Sequence, residues 1–148
     1  ALYALAGQNG ANAGPHLMEL IILVANSLQS SNEEIGNMSL SQAESRLQRI
    51  NIYTCCNYAR QITIDEIAEH VGMNRSAFCT FFRRQTGKTY ISFLNEYRLK
   101  VACHLLKNTQ SSISAVCWQC GFNDLAYFDK LFKKVFNTSP SEIKRRSA

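Results

Sequence analysis

The sequence predicts an all-α protein, and three observations carry that prediction. Apolar residues recur at three- and four-residue spacing, and nothing in residues 40–148 alternates as a half-buried strand would. One pattern occurs twice: residues 62–88 and 112–138 each read as a short amphipathic helix, a glycine turn, and a second helix with aromatics and trailing basic residues. The segments are bounded by capping residues and glycines. The expected architecture is two helix-turn-helix subdomains joined by a long central helix, about seven helices, plus an N-terminal helix.

The repeat aligns residue by residue. Gly72 matches Gly121, Asn74 roughly matches Asn123, Phe78 matches Phe128 and Phe82 matches Phe132. The pairs Arg83-Arg84 and Lys133-Lys134 coincide. The offset is 49 up to the glycines and 50 beyond them, so the second copy has one extra turn residue.

Taken in order, residues 1–16 are loop-like, with Gly7, Gly10, Gly14 and Pro15. Residues 17–28 form an apolar helix candidate, with Leu17, Leu20, Ile21, Val24 and Leu28 on one face. Residues 29–39 are polar, include Gly36, and read as a linker. Ser41 with Glu44 is a capping box that opens a helix to about Arg60, with Leu47, Ile50, Tyr53 and Cys56 inward and Cys55 a further candidate. Thr63 with Glu66 caps the next helix, whose buried stripe is Ile64, Ile67, Ala68 and Val71. Gly72 ends it, because a tight turn between helices commonly needs positive φ. Asn74 is a good N-cap for a helix over 75–85, and Gly87 stops that helix. Asn137 stands at the matching place in the second copy, and Asn also tolerates the left-handed conformation.

The central helix spans 90–107, with Ile91, Leu94, Leu99, Ala102, Leu105 and Leu106 at helical spacing. The second copy follows, with helices over 113–120 and 124–136. Pro140 restarts a last helix at a favoured first position, and the basic tail Lys144-Arg145-Arg146 follows. The domain division is therefore 1–40, an N-terminal segment and linker, and 41–148, the repeated unit.

Charge is uneven. Residues 1–50 carry a net −2 and residues 51–148 a net +7, so the excess basic charge sits with the repeated helices, as a polyanion-binding module requires. The longest apolar run, residues 20–25, is far short of the roughly 20 residues that cross a bilayer. The start lacks the basic n-region of a signal peptide, and it lacks an initiator Met, which suggests a fragment or a processed chain. Six cysteines beside a helical core do not read as a secreted disulfide framework, so a reducing cytosol is expected.

Enzyme chemistry has no positive support. His16, His70 and His104 are scattered singly, and no Gly-rich phosphate loop or Ser/His/Asp arrangement is present. Cys117-Trp118-Gln119-Cys120 has the form of a redox CxxC, but it lies within a helix and aligns with Ala68 and Val71 of the buried stripe, so packing is expected. Two cysteines without further ligands make no structural zinc site. No metal and no cofactor are expected.

The ordered motifs resemble the C-terminal DNA-binding domain of AraC/XylS-type bacterial transcription regulators. The matching stretches are residues 64–74 (IDEIAEHVGMN) and 78–87 (FCTFFRRQTG), then Tyr97-Arg98-Leu99 with Ala102 and Leu105-Leu106. Gly121-Phe122-Asn123-Asp124, Tyr127-Phe128, Phe132-Lys133-Lys134 and Ser139-Pro140-Ser141-Glu142 complete the set, from about Leu47 to Arg146. Departures are Cys117 for the usual Ala, Cys120 for an aliphatic residue, and Asn137 for Gly. The resemblance implies a sequence-specific regulator of double-stranded DNA, placed in the cytoplasm with the nucleoid and off the membrane. RNA polymerase is a further partner in that picture. A small-molecule effector would act only through a missing upstream domain, of which 17–28 would be the last helix. This fragment would be a monomer and the full-length protein a dimer; a stand-alone DNA-binding domain is the other open reading.

Periodicity turns Phe78, Phe81 and Phe82 inward on the first reading helix, leaving Arg75, Ser76, Cys79, Thr80 and Arg83 outward. By resemblance, Ser76, Cys79 and Thr80 occupy base-contact positions, where short side chains discriminate weakly. Arg75 and Arg83 are expected on phosphates, with Arg75 the better placed for a guanine. On the second reading helix, Phe128, Leu131, Phe132 and Val135 turn inward, and Leu125, Ala126, Asp129 and Lys130 outward. Lys130 sits at a family base-contact position and can reach guanine O6/N7, while Leu125 and Ala126 suit thymine methyls. Asp129 could accept from cytosine or hold Lys130 or neighbouring Arg or Lys side chains. Lys88, Lys133, Lys134, Lys144 and Arg145 add non-specific attraction, and helix starts at Arg75, Asp124 and Pro140 could take phosphates. The family geometry implies reading helices about 34 Å apart, one turn of B-DNA. A thiol-based redox-sensing regulator, using Cys79 or Cys117 and Cys120, is the alternative.

Overall fold

The computed structural model describes residues 38–147, with side chains from Gln42 onward. The chain divides into two units between Gln48 and Arg49, and the packing below is that of the unit that starts at Arg49. Seven helices follow one another among the described residues: α1 (Met38–Asn57), α2 (Ile64–His70), α3 (Arg75–Thr86), α4 (Tyr90–Asn108), α5 (Ile113–Gln119), α6 (Leu125–Phe136) and α7 (Pro140–Ser147). No strand occurs among them. The expected helix over 17–28 and the linker as far as residue 37 lie outside the described residues.

α1 departs from expectation at both ends. It already includes Met38 and Ser39, so Ser41 lies within the first turn and does not cap the helix. It stops at Asn57, whose Nδ2 folds back to the Tyr53 carbonyl at 2.8 Å. The chain then turns, and Tyr58 and Arg60 offer their carbonyls to Arg98 on α4. The buried arc of α1 runs through Ile50, Thr54 and Cys55, whereas Cys56, one step further round, is exposed. Thr54 can sit in the core because its hydroxyl donates to the Ile50 carbonyl at 2.8 Å and pairs with the Tyr90 hydroxyl at 2.9 Å.

Each repeat has its own aromatic core. In the first, Ile67, Ala68 and Val71 of the α2 stripe are buried with Phe78 and Phe82, and both rings meet Tyr90 edge-on at 5.6 Å. In the second, Val116, Cys117, Cys120, Phe122, Phe128 and Phe132 are buried together. Each buried Val, Ile or Phe among them contributes roughly 1.5–3 kcal/mol through loss of apolar surface from water. Cys117 and Cys120 are thus core residues, as their alignment with Ala68 and Val71 predicts.

α4 buries Tyr90, Leu94, Tyr97, Arg98, Leu99, Val101, Ala102, Leu105 and Leu106. Ile91, expected inward, is 45 % exposed, because the buried stripe starts at Tyr90 and continues through Leu94. α7 packs back along α4. Lys144 on α7 donates to the Ser111 carbonyl at 2.6 Å, pinning the loop after α4.

Candidate nucleic-acid interface

The second helices of the two repeats, α3 and α6, are set by the same local devices. Asn74 caps α3 by accepting from the Ala77 N–H, and Asp124 caps α6 by accepting from the Tyr127 N–H. Gly87 and Asn137 end them in the left-handed conformation, with φ of 75° and 54°. Upstream, Thr63 and Ser112 cap α2 and α5 in turn.

The caps correct the alignment of the repeats. Asn74 corresponds to Asp124, not to Asn123. Met73 and Phe122 are still equivalent, since their N–H groups donate to Ala68 and Cys117 respectively. The extra turn residue is therefore Asn123, which is exposed, while Phe122 turns inward and meets Phe128 at 5.2 Å.

With that register, the burial of α3 and α6 is nearly superimposable. Phe78 and Phe82 of one, and Phe128 and Phe132 of the other, are fully buried. Phe81 and Leu131 are only half-buried at the edge of this face, and Val135, expected inward, is 41 % exposed. Phe81 and Leu131 lie to one side of the central Phe pair on the helix wheel, so the packed stripe is narrower than periodicity alone predicts, whereas Val135 shares the direction of Phe128 but stands a turn beyond the pair.

The outward residues of α3 are where they are expected. Arg75, Ser76, Cys79, Thr80 and Arg83 are all exposed. Arg75 is held by Asp65 at 2.7 Å, which ties it toward the start of α2. Arg83 has no ion pair among the described residues. Ser76 and Thr80 line an open groove along α3 with Asn74, Phe81 and Arg84. Arg84 had no individual role in the sequence pattern, yet it is exposed and also without an ion pair among the described residues.

On α6, Leu125, Ala126 and Lys130 are exposed. Asp129 is half-buried and holds Lys133 at 2.7 Å, one turn further along, so of the two roles considered for it the structure displays the second. Lys130 and Lys134 are exposed without an ion pair among the described residues. Several other cations expected to add attraction are engaged elsewhere. Lys88 pairs with Glu96 at 2.6 Å, Arg145 and Arg146 with Glu142, and Lys144 binds the Ser111 carbonyl. The uncompensated positive charge of α3 and α6 thus reduces to Arg83, Arg84, Lys130 and Lys134.

Both thiols of the CxxC are buried in the second core. Burial pushes the Cys117 thiol up, and it pushes Cys120 up to about 12. The thiolate, which is the reactive species, is therefore suppressed near neutral pH. Cys79 is exposed on α3, and no group of three or more His, Cys, Asp or Glu able to hold a metal gathers among the described residues. No helix of the described residues is long and apolar enough to cross a membrane.

Two further residues matter for how the units sit. Arg98 is buried at 5 % exposure, and Gly121 packs on the backbone of Tyr58 and Ala59. The signal for Arg98 is its place in the apolar stripe of α4, between Leu94 and Ala102, where a charged residue has to find buried acceptors.

Matched caps, matched burial and a shared central helix define the class: a double helix-turn-helix domain. The chain belongs to the AraC/XylS-type helix-turn-helix family of transcription regulators: a family model described as a helix-turn-helix domain matches residues 67–146. Among curated relatives, the HTH-type transcriptional activator RhaS of Escherichia coli is 30% identical over 128 residues, covering 86% of this chain and 44% of that protein. This chain thus spans less than half the length of the curated relatives it matches. A transcriptional regulator with an AraC-type DNA-binding domain from Chromobacterium violaceum superposes with a TM-score of 0.67 at 26% identity, covering 73% of this chain and 96% of that one. A probable AraC family transcriptional regulator from Rhodopseudomonas palustris gives 0.66 at 27% identity, covering 70% and 97%. These relatives and structures are described as transcription regulators.

Proposed function

We propose that this chain is the DNA-binding segment of a sequence-specific transcription regulator, and that α3 and α6 read two adjacent major-groove segments of one duplex. The observation that carries this reading is the superimposable burial of the two helices. Both bury the same Phe pair and leave the next face of the helix wheel in solvent. Docking of that face requires no rearrangement of either core.

The two faces differ in chemistry. α3 offers Ser76, Cys79 and Thr80, whose short side chains make single contacts, so its sequence preference is weak. Arg83 and Arg84 add phosphate attraction, and Arg75 contributes only after leaving Asp65. α6 carries Lys130 as the base-reading cation, flanked by Leu125 and Ala126 for thymine methyls. Asp129 serves the site by fixing Lys133 near the backbone. Lys134 supplies non-specific attraction.

Regulation in the cytoplasm, activation through contact with RNA polymerase, and control by an effector and dimerisation domain upstream of these residues complete the reading. They rest on kinship with activators such as the RhaS protein. Selection of bound sites from random duplexes tests the reading. Two conserved blocks about one helical turn apart are expected, the sharper one under α6; a single block would refute it.

A further inference from the structure

We propose that Arg98 is a positioning residue that sets the separation of the two reading helices, and through it the operator spacing this domain accepts. The inference rests on the two-segment reading above.

α4 alone is a thin connection. The first unit packs on it chiefly through α3, and the second through α5, α6 and α7. Each could rock about the helix axis if nothing tied them directly. The tie is a junction built around the residues that lead into α2. Arg98 Nε donates to the Tyr58 carbonyl at 2.7 Å, and its Nη2 donates to the Arg60 carbonyl at 2.7 Å. The same guanidinium lies over the Phe122 ring at 5.8 Å. Gln61 Nε2 donates to the Gly121 carbonyl at 3.2 Å. Gly121 itself is so close that a Cβ would stand 2.6 Å from the Tyr58 carbonyl oxygen.

The connection before the first unit therefore meets the turn of the second, and Arg98 grips both sides. A guanidinium suits this because its planar fork holds two acceptors in fixed directions at once, which an ammonium on a flexible stem does not. No carboxylate pairs with Arg98 among the described residues, so its partners are backbone carbonyls of one connection and a ring of the other unit. Neither belongs to a DNA-facing side chain. The consequence is a fixed distance and phase between α3 and α6. One base pair of insertion turns the far groove by roughly 34° and moves it about 3.4 Å, so a rigid pair rejects it and a loose pair tolerates it.

The test uses the whole 148-residue chain and the site obtained by selection, rebuilt with one base pair added or removed between the two blocks. The wild type is expected to lose roughly tenfold or more in affinity with either change. Arg98→Lys and Gln61→Ala are each expected to flatten that profile to about threefold or less, while preference within each block is retained. Gln61 is exposed, so its variant keeps the core intact if Arg98→Lys does not fold. Folded variants with the wild-type spacing profile would overturn the proposal. A wild type indifferent to spacing would overturn it differently, by removing the two-segment reading beneath it.

Discussion

Gly72 and Gly121 end the first helices of the two repeats at φ of 70° and 85°, but only Gly121 has a neighbour where a side chain would go. Around Gly72 the space is open; at Gly121 the Tyr58 carbonyl fills it. Gly72→Ala should cost about 1–2 kcal/mol, the strain of a left-handed residue. Gly121→Ala should add a further ~1–3 kcal/mol of overpacking against backbone that cannot yield. Thermal midpoints of the two variants check this, and equal losses would show that the junction does not press on Gly121.

Lys130 and Lys134 are expected to part company in DNA binding. Lys130→Ala should relax the preference at one base position by about 1–3 kcal/mol. Lys134→Ala should weaken all sequences alike and shallow the dependence of log affinity on log salt by about one unit. Binding titrations over several salt concentrations, on matched and mismatched duplexes, separate the two; identical behaviour would refute the division of roles.

Glu66 gives the fold an acid-sensitive contact. Hydrogen bonding from Arg60, then from Tyr53, lowers its carboxyl from 4.5 to about 2. A depressed carboxylate stabilises the fold above its unfolded value and loses that contribution as pH falls through the folded one. The wild type should therefore lose thermal stability between about 4.5 and about 2 more steeply than Glu66→Gln, which has no such proton to take up. The effect is small, because both partners reach solvent. Parallel curves of midpoint against pH would contradict it.

The cysteines should sort by burial under alkylation at neutral pH. Cys56 and Cys79 are exposed and should react in the native state. Cys117 and Cys120, with their thiols raised by burial, should react only on unfolding. Mass spectrometry of the alkylated chain with and without denaturant reads this directly, and native modification of Cys120 would reopen the redox alternative.

Much of this was legible in the sequence because the repeat supplies an internal control. Aligning Asn137 with Gly87 is enough to expect a left-handed cap at a non-glycine residue. Aligning Cys117 and Cys120 with Ala68 and Val71 is enough to expect packing instead of redox chemistry. What stayed hidden depends on long separations or on competition between partners. Arg98 falls between Leu94 and Ala102 on the stripe the structure buries, but its acceptors lie 40 and 38 residues away in a connection without pattern. Exposed cations look alike in a sequence, and only geometry shows that Lys144 is bound to a carbonyl while Lys134 is not. Helix faces near the margin, at Ile91, Phe81 and Val135, were the least legible. A wheel gives the direction of a face, whereas its width depends on what packs against it.

The most direct measurement is a hydroxyl-radical footprint of the chain on its selected site. Protection of two patches on one face of the duplex, centred about one helical turn apart, is the predicted result. A single patch half that length, unchanged when Lys130 is replaced by alanine, would contradict it.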